Sequence, residues 1–294
     1  VPRIINGIKE EAVEHLREGD LAWKDRRGTA WVDLQPLLDR IFLPLERILT
    51  EAALAHSPRS VLDVGCGAGA TTLAMAKRLA PLGSCTGIDI SEPMLNHARR
   101  RAATDGADNA QFLAGDAQRF SFATGSFDAI VSRFGVMFFD VPEAALANIG
   151  RAISPGGTLT CLVWRSWEEN DFMTAAERAV GPLLGWSDQP DPDAPGQFAW
   201  ADPDRINQIL KASGWRSVEI VPVDIPCTMA RTDLRRYAHR MGRIGMVLPD
   251  LDSASHDSVS AALDAAFAKF VTDDTAQFQA ACWMISARSA TQRL

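Results

Sequence analysis

Three carboxylates each follow a short apolar run. Asp63 interrupts Val61-Leu62-Asp63-Val64 and precedes Gly65-Cys66-Gly67-Ala68-Gly69. Asp89 ends Ser84-Cys85-Thr86-Gly87-Ile88-Asp89, and Asp116 sits in Gly115-Asp116-Ala117 after Ala110-Gln111-Phe112-Leu113-Ala114. Alternating glycines after a β-branched run remove Cβ and permit positive φ, so main-chain N–H groups can face a ligand at a helix N-terminus. A carboxylate at the end of a buried strand is costly unless it is paired or bound to a ligand. Asp63 therefore suits a cationic amino group. Asp89 follows Gly65 by about two dozen residues, the distance at which such folds set an acid on ribose hydroxyls. Asp116 can accept a hydrogen bond from an adenine amino group, with Ala117 leaving room for the ring.

The glycine loop fits two patterns. Gly65, Gly67 and Ala70 match the G-x-G-x-x-A form of the dinucleotide fingerprint. Asp63 to Gly69 also reads D-x-G-x-G-x-G, which uses two residues, Asp63 and Gly69, that the first pattern leaves unexplained. A ribose occurs in either class of cofactor, so Asp89 does not separate them.

With these residues in place, the chain resembles the class I S-adenosylmethionine-dependent methyltransferases, nearest the branch that includes ubiquinone and menaquinone C-methyltransferases. The resemblance runs from about Ser60 to Trp164. Its pieces are Val61 to Gly69, Gly87-Ile88-Asp89-Ile90-Ser91, Gly115-Asp116-Ala117, Phe127-Asp128-Ala129-Ile130-Val131-Ser132 and Arg151-Ala152-Ile153-Ser154-Pro155-Gly156-Gly157. It implies S-adenosyl-L-methionine as cofactor, S-adenosyl-L-homocysteine as product, and a cofactor site made of Asp63, Gly65, Cys66, Gly67, Gly69, Asp89, Ile90, Met94, Gly115, Asp116, Ala117, Ser132 and Arg133. A nicotinamide-dependent oxidoreductase is the alternative enzyme class; it leaves Asp63 and Asp116 idle and no residue is evident for hydride chemistry. A non-catalytic cofactor-binding protein that keeps the fold is the other alternative. A nucleic-acid methyltransferase is disfavoured, because Ser132-Arg133-Phe134-Gly135 stands where an Asn/Asp-Pro-Pro-aromatic motif is expected.

Methyl transfer from a sulfonium needs alignment and exclusion of water more than a fixed catalytic triad. The segment Ser132 to Phe139 is the expected wall of the reaction centre, with Phe134, Met137 and Phe138 flanking an apolar acceptor. Arg133 is placed to bind an acidic substrate group or the cofactor carboxylate. Trp164, Trp167 and Phe172 follow the next strand and form a second aromatic group, which fits a flat or hydrophobic small molecule. Trp31, Tyr237 and Met241 complete the substrate candidates. His239, beside the single tyrosine, and Tyr237 are weak candidates for a general base. O-, C- and N-transfer all remain open, and no residue spacing suggests a metal.

The elements that must position these groups follow from pattern. Strands are expected near 60–64, 84–89, 110–114, 127–132 and 157–163, alternating with helices, which implies a parallel sheet with right-handed crossovers. The fold class is α/β, a Rossmann-like doubly wound sheet, mostly parallel with an antiparallel last strand, plus N-terminal helices and a helical lid inserted before that strand. Residues 1–56 are expected as a helical cap with two helices between about Glu10 and Ala55, 57–230 and 271–294 as the core, and 231–270 as the lid. Leu37, Leu38, Ile41, Leu45, Ile48 and Leu49 recur at helical spacing, with Trp31 preceding that helix. Trp186 to Trp200 reads as an exposed loop, Pro203 opens a helix ending at Ser213-Gly214, and strands follow at Ser217–Met229 and Phe278–Ala287. Helical stretches are expected at Thr232–Gly245 and Ser255–Phe270. Arg99-Arg100-Arg101 reads as a solvated helix face and His97 as exposed.

At 294 residues, 47% hydrophobic and 23% charged, the chain has the composition of a globular domain with an added lobe. A net charge of −7 argues against a nucleic-acid partner. No apolar run approaches the roughly 20 residues of a membrane span. Five scattered cysteines, with no metal spacing, fit reduced thiols in a cytoplasmic protein. A small-molecule acceptor is the expected partner, and the assembly is expected to be a monomer or homodimer.

Overall fold

The computed structural model describes residues 23–186 and 194–290. Five parallel strands build its first half: β1 (Ser60–Val64), β2 (Ser84–Asp89), β3 (Ala110–Ala114), β4 (Phe127–Arg133) and β5 (Ile153–Trp164). Helices α3 (Ala70–Leu79), α4 (Glu92–Asp105) and α5 (Pro142–Ala152) connect them. The central strands carry near-continuous apolar runs because both sheet faces are covered, and β1 is buried from Val61 to Val64. After β5 come α6 (Asp171–Leu184), α7 (Pro203–Ala212) and the long β6 (Trp215–Ala230). Helices α8 (Arg231–Arg240), α9 (Gly242–Val247) and α10 (Ser253–Ala268) precede β7 (Val271–Thr272) and β8 (Thr275–Ser289).

The sheet order is β3-β2-β1-β4-β5-β8-β6, with β7 paired to β8. β8 runs antiparallel to both β5 and β6. The order reverses between β1 and β4, and in such sheets a crevice opens outside the strand carboxyl ends at that switch point. The expected α/β, mostly parallel architecture with an antiparallel last strand is the one observed; β1 to β4 fall within a residue of their expected bounds, and β5 begins about four residues earlier, at Ile153.

Two helices lie at the N-terminal side of the described chain, α1 (Arg26–Asp33) and α2 (Gln35–Leu54). The face expected on α2 is buried at Leu37, Leu38, Ile41, Leu45 and Leu49 against the main core. Trp31 lies inside α1 rather than in a segment leading into the next helix. Residues 1–22, where the start of the earlier expected helix falls, are outside the described residues.

Three further expectations are corrected. The stretch Trp186 to Trp200 is not simply an exposed loop. Its part 187–193 lies outside the described residues, but Trp200 is only 2% exposed and Ala199 is buried. Trp283 Nε1 also donates to the Ala201 carbonyl at 2.8 Å, holding this segment on the sheet. The stretch expected as one helix over 232–245 is two, because Met241 is extended (φ −93°, ψ 158°) and Gly242 has φ +65°. Helix α6, after the aromatic Trp164–Phe172 segment, was not separated by pattern. Asn170 fixes its start: its Nδ2 donates to Ser166 and Ala281 carbonyls, and its Oδ1 accepts from Ala281 N at 3.0 Å.

Candidate active site

The carboxyl ends of β1, β2, β3 and β4 open into a cavity of about 260 Å³, roofed by α1, α2 and the α8–α10 segment. The glycine loop forms one wall. Gly65 has φ +70°, and a Cβ there would lie 2.7 Å from Gly135 Cα, so β1 and β4 approach each other through two glycines. Gly67 has φ +54°, and a Cβ there would meet only Met94 Sδ, at 3.6 Å, within the cavity wall. Its N–H donates to Asp89 Oδ2 at 2.8 Å, while Asp89 Oδ1 accepts from Ser91 N at 2.8 Å. Asp89 is 8% exposed, and burial raises its pKa against the lowering effect of these backbone donors. This acid both braces the loop and presents its carboxylate edge to the cavity.

Gly65, Cys66, Gly67, Asp89, Ile90, Met94, Gly115, Asp116, Ala117 and Arg133 all line the cavity. Asp116 Oδ1 accepts from Gln118 N at 2.8 Å, which fixes its rotamer. The Cys66 thiol is pushed up by burial and by the nearby Asp89 and Asp63 charges, so it serves as a small apolar wall.

Three cofactor candidates do not reach the cavity. Asp63 is 1% exposed beneath the loop and takes a hydrogen bond from Thr72 Oγ1 at 2.6 Å. Burial raises its carboxyl to about 6, with the Thr72 bond and Arg133 acting in the opposite sense. Gly69 is the left-handed residue preceding α3 and packs against Ala98 and Phe112. Ser132 is fully buried, donating to the Val64 carbonyl at 2.7 Å and accepting from Gly135 N at 3.2 Å. These three support the wall from behind.

On the other side the wall is aromatic. Phe134 takes φ +67°, a region a bulky residue rarely adopts, and its N–H is held by the Leu162 carbonyl at 2.9 Å. That turn lays its ring on Trp164, with centroids 4.3 Å apart and planes 6° apart, and Phe42 meets both rings edge-on. Trp31, Met137, Phe138, Phe172, Tyr237 and Met241 line the same space. Trp23, which pattern did not single out, bridges Trp31 and Phe138 at 6.0 and 5.3 Å.

Trp167 is corrected: it points away, packing on Phe198 and under Arg178. The base candidates are corrected as well. Tyr237 lines the cavity, but its hydroxyl contacts Met173 Sδ at 3.5 Å and burial pushes its pKa upward. His239 does not line the cavity; burial, then Arg235, lowers its pKa.

Two surface expectations also change. His97 is half-buried, its Nε2 3.1 Å from Gln35 Oε1. Arg101 is not on a solvated face; it reaches the Ala68 carbonyl at 2.7 Å and Asp39 at 2.6 Å. Asp39 and Phe42 line the cavity from α2, Arg240 from α8 and Arg243 from α9. The sequence signal of Asp39 is a polar residue at the margin of an apolar helical stripe, whereas Phe42 belongs to the stripe itself.

Ion pairs fasten the roof. Arg26 bonds Asp250 at 2.5 Å, Arg40 bonds Asp233 at 3.2 Å, and Arg240 bonds Asp33. Among the described residues no group of three or more His, Cys, Asp or Glu could hold a metal ion, and no helix is long and apolar enough to cross a membrane.

Comparison with known proteins bears on the same part of the chain. Residues 61–157 match the methyltransferase domain family, and the mixed eight-stranded sheet around them has the Rossmann-like fold seen in methyltransferase structures. Among individual relatives, a demethylmenaquinone methyltransferase of Staphylococcus aureus is 39% identical over 119 residues, 40% of this chain and 47% of the relative. The match thus spans about half the length of that curated relative. Among solved structures, the YcgJ protein from Bacillus subtilis superimposes with a TM-score of 0.56 at 18% identity, covering 83% of this chain and 97% of its own. A [4+2]-cyclase, SpnF, gives 0.53 at 19% identity, covering 90% and 96%. Likeness at this identity concerns the fold alone, which hosts more than one named chemistry.

Proposed function

We propose that the protein transfers a methyl group from S-adenosylmethionine to an apolar or aromatic small molecule. One observation carries this reading: a single cavity joins the nucleoside-type wall, Gly67, Asp89 and Asp116, to the aromatic wall around Phe134 and Trp164. The residues present fit the cofactor. The cradle at Gly67 is open on the cavity side, and the Arg133 guanidinium faces the cavity with no hydrogen bond to any described residue.

Asp89 would hold ribose hydroxyls, Asp116 the adenine amino group, and the loop N–H groups the nearby polar atoms. When bound, the cofactor supplies an electrophilic sulfonium methyl. The chain's own contribution is to position and to dry the site. The stacked Phe134–Trp164 pair, with Phe42 against it, offers a flat apolar face to an acceptor. The roof of α1 and α8–α10 excludes water, which strengthens every remaining electrostatic contact. Tyr237 is held protonated and His239 lies off the cavity, so the acceptor is one whose nucleophile forms without help from either side chain.

Calorimetric titration with S-adenosylhomocysteine and with NAD(H), followed by transfer assays with radiolabelled S-adenosylmethionine and quinol, phenol and amine acceptors, tests the reading. Binding of S-adenosylhomocysteine and label in an apolar acceptor are expected. Binding of NAD(H) alone would overturn it, and donor binding without transfer to any acceptor class would favour a non-catalytic role.

A further inference from the structure

The sheet offers the cavity two acids, Asp89 and Asp116, while the third, Asp63, is sealed beneath the loop. The vacancy this leaves is filled from elsewhere in the chain. Asp39, on α2, lines the same cavity beside the loop. Its Oδ2 accepts from Gln35 Nε2 at 2.5 Å and from Arg101 at 2.6 Å, and the same Arg101 donates to the Ala68 carbonyl at 2.7 Å. Asp39 is therefore tied to the glycine loop through one guanidinium, and its Oδ1 has no hydrogen-bond partner among the described residues.

Arg133, at the end of β4, lines the same cavity. Among the described residues its guanidinium lies over the face of Phe42, 6.0 Å from the ring centroid. Burial disfavours its charge, and Asp39 is the carboxylate that most offsets this, ahead of Asp63 and Glu46. Yet Asp39 and Arg133 form no ion pair; Asp39 is paired with Arg101 instead. Two opposite charges that face one cavity without touching are complementary to a ligand carrying an ammonium and a carboxylate on a single carbon. A half-buried guanidinium without a hydrogen-bonded anion carries a desolvation cost that a ligand anion would offset.

We propose that Asp39 and Arg133 clamp the amino-acid end of the methyl donor, Asp39 Oδ1 accepting from its ammonium and Arg133 donating to its carboxylate. This assignment rests on the S-adenosylmethionine reading above. It moves the role expected of Asp63 to a residue on the N-terminal helical segment, and Arg101 becomes a positioning residue that sets the carboxylate against the loop. The donor site is then incomplete without α2.

Three ligands separate the contacts. S-adenosylhomocysteine has both groups, decarboxylated S-adenosylmethionine keeps the ammonium only, and 5′-methylthioadenosine has neither. Calorimetric titration of Asp39→Asn should show roughly 10- to 100-fold weaker binding of the first two, the range of a lost charge-assisted hydrogen bond, with 5′-methylthioadenosine unchanged. Arg133→Gln should weaken S-adenosylhomocysteine alone. Wild-type affinity for S-adenosylhomocysteine in Asp39→Asn would overturn the assignment, and so would equal weakening of all three ligands, the mark of a general structural role. Failure of the wild-type protein to bind S-adenosylhomocysteine would instead overturn the proposed function.

Discussion

Replacing Asp63 by Asn separates two roles a buried acid can have. The carboxyl is 1% exposed, touches Thr72 Oγ1 at 2.6 Å and stands outside the cavity. Its pKa rises from 3.8 to about 6 in the folded chain, chiefly through burial. A carboxyl with a raised folded pKa holds its proton longer in the folded than in the unfolded state. Below pH 3.8 both states are protonated and the group contributes nothing. As pH rises the unfolded carboxyl ionises first, so stability falls until the folded group also ionises near 6. The full loss is about 3 kcal/mol, since each pKa unit is worth about 1.4 kcal/mol. Between about pH 4.5 and pH 7.5, linkage leaves about 2 kcal/mol of it. Asn has the shape of the protonated acid, keeps the bond from Thr72 and does not titrate. Urea unfolding should therefore show Asp63→Asn gaining about 2 kcal/mol on the wild type over that interval. S-adenosylhomocysteine affinity should change far less than in Asp39→Asn. A stability difference that is flat with pH would refute the burial argument. A loss of affinity matching that of Asp39→Asn would refute the placement of Asp63 behind the wall.

Gly67→Val forces a β-branched residue to φ +54° and fills the cavity side of the loop, so calorimetry should detect no cofactor binding while the far-ultraviolet spectrum stays native. Asp89→Ala removes the acceptor for Gly67 N and Ser91 N as well as a ligand contact; it should abolish binding and also lower unfolding stability by about 2 kcal/mol in urea titration. Gly28→Ala places a Cβ 2.4 Å from Ser91 Oγ and 2.3 Å from the Trp23 carbonyl, prising α1 from the start of α4. Faster amide exchange across α1 and weaker cofactor binding are expected, with the exchange of β1 and β4 unchanged.

The parts of the fold that were legible are those governed by local pattern. The strands read as short apolar runs, and β1, β2 and β3 each end at or beside a glycine or acid, so β1 to β4 and their ligand-facing ends could be placed within a residue or two. What pattern could not show was direction. Asp63 and Asp89 both end apolar strands, yet alternation of side chains along β1 and the presence of Thr72 send Asp63 beneath the loop. Trp167 and Trp164 are three residues apart, and only tertiary contact decides that one stacks on Phe134 while the other packs on Phe198. Asp39 was invisible because its role depends on Arg101, 62 residues away, which looked like one of three solvated arginines. Met241-Gly242 broke a helix whose amphipathic pattern ran straight through it.

The pairing of β6 with β8 has a consequence for how this protein could change. Ala230 and Thr275 face each other in the ladder, so the chain leaves the sheet and returns to it at adjacent positions. Everything between them, including the helices that supply Tyr237, Met241 and Arg243 to the cavity, is a closed excursion from one hairpin. Such an excursion can be shortened, lengthened or exchanged without moving strand register. The donor contacts proposed for Asp39 and Arg133 lie outside this excursion, although Asp233, Arg240 and Asp250 within it pair with Arg40, Asp33 and Arg26 on α1 and α2. A combinatorial library confined to 231–274 that keeps Asp233, Arg240 and Asp250 would therefore vary the aromatic side of the cavity while leaving Asp39 and Arg133 in place. The hairpin makes the wall supplied by 231–274 replaceable apart from the glycine-loop wall.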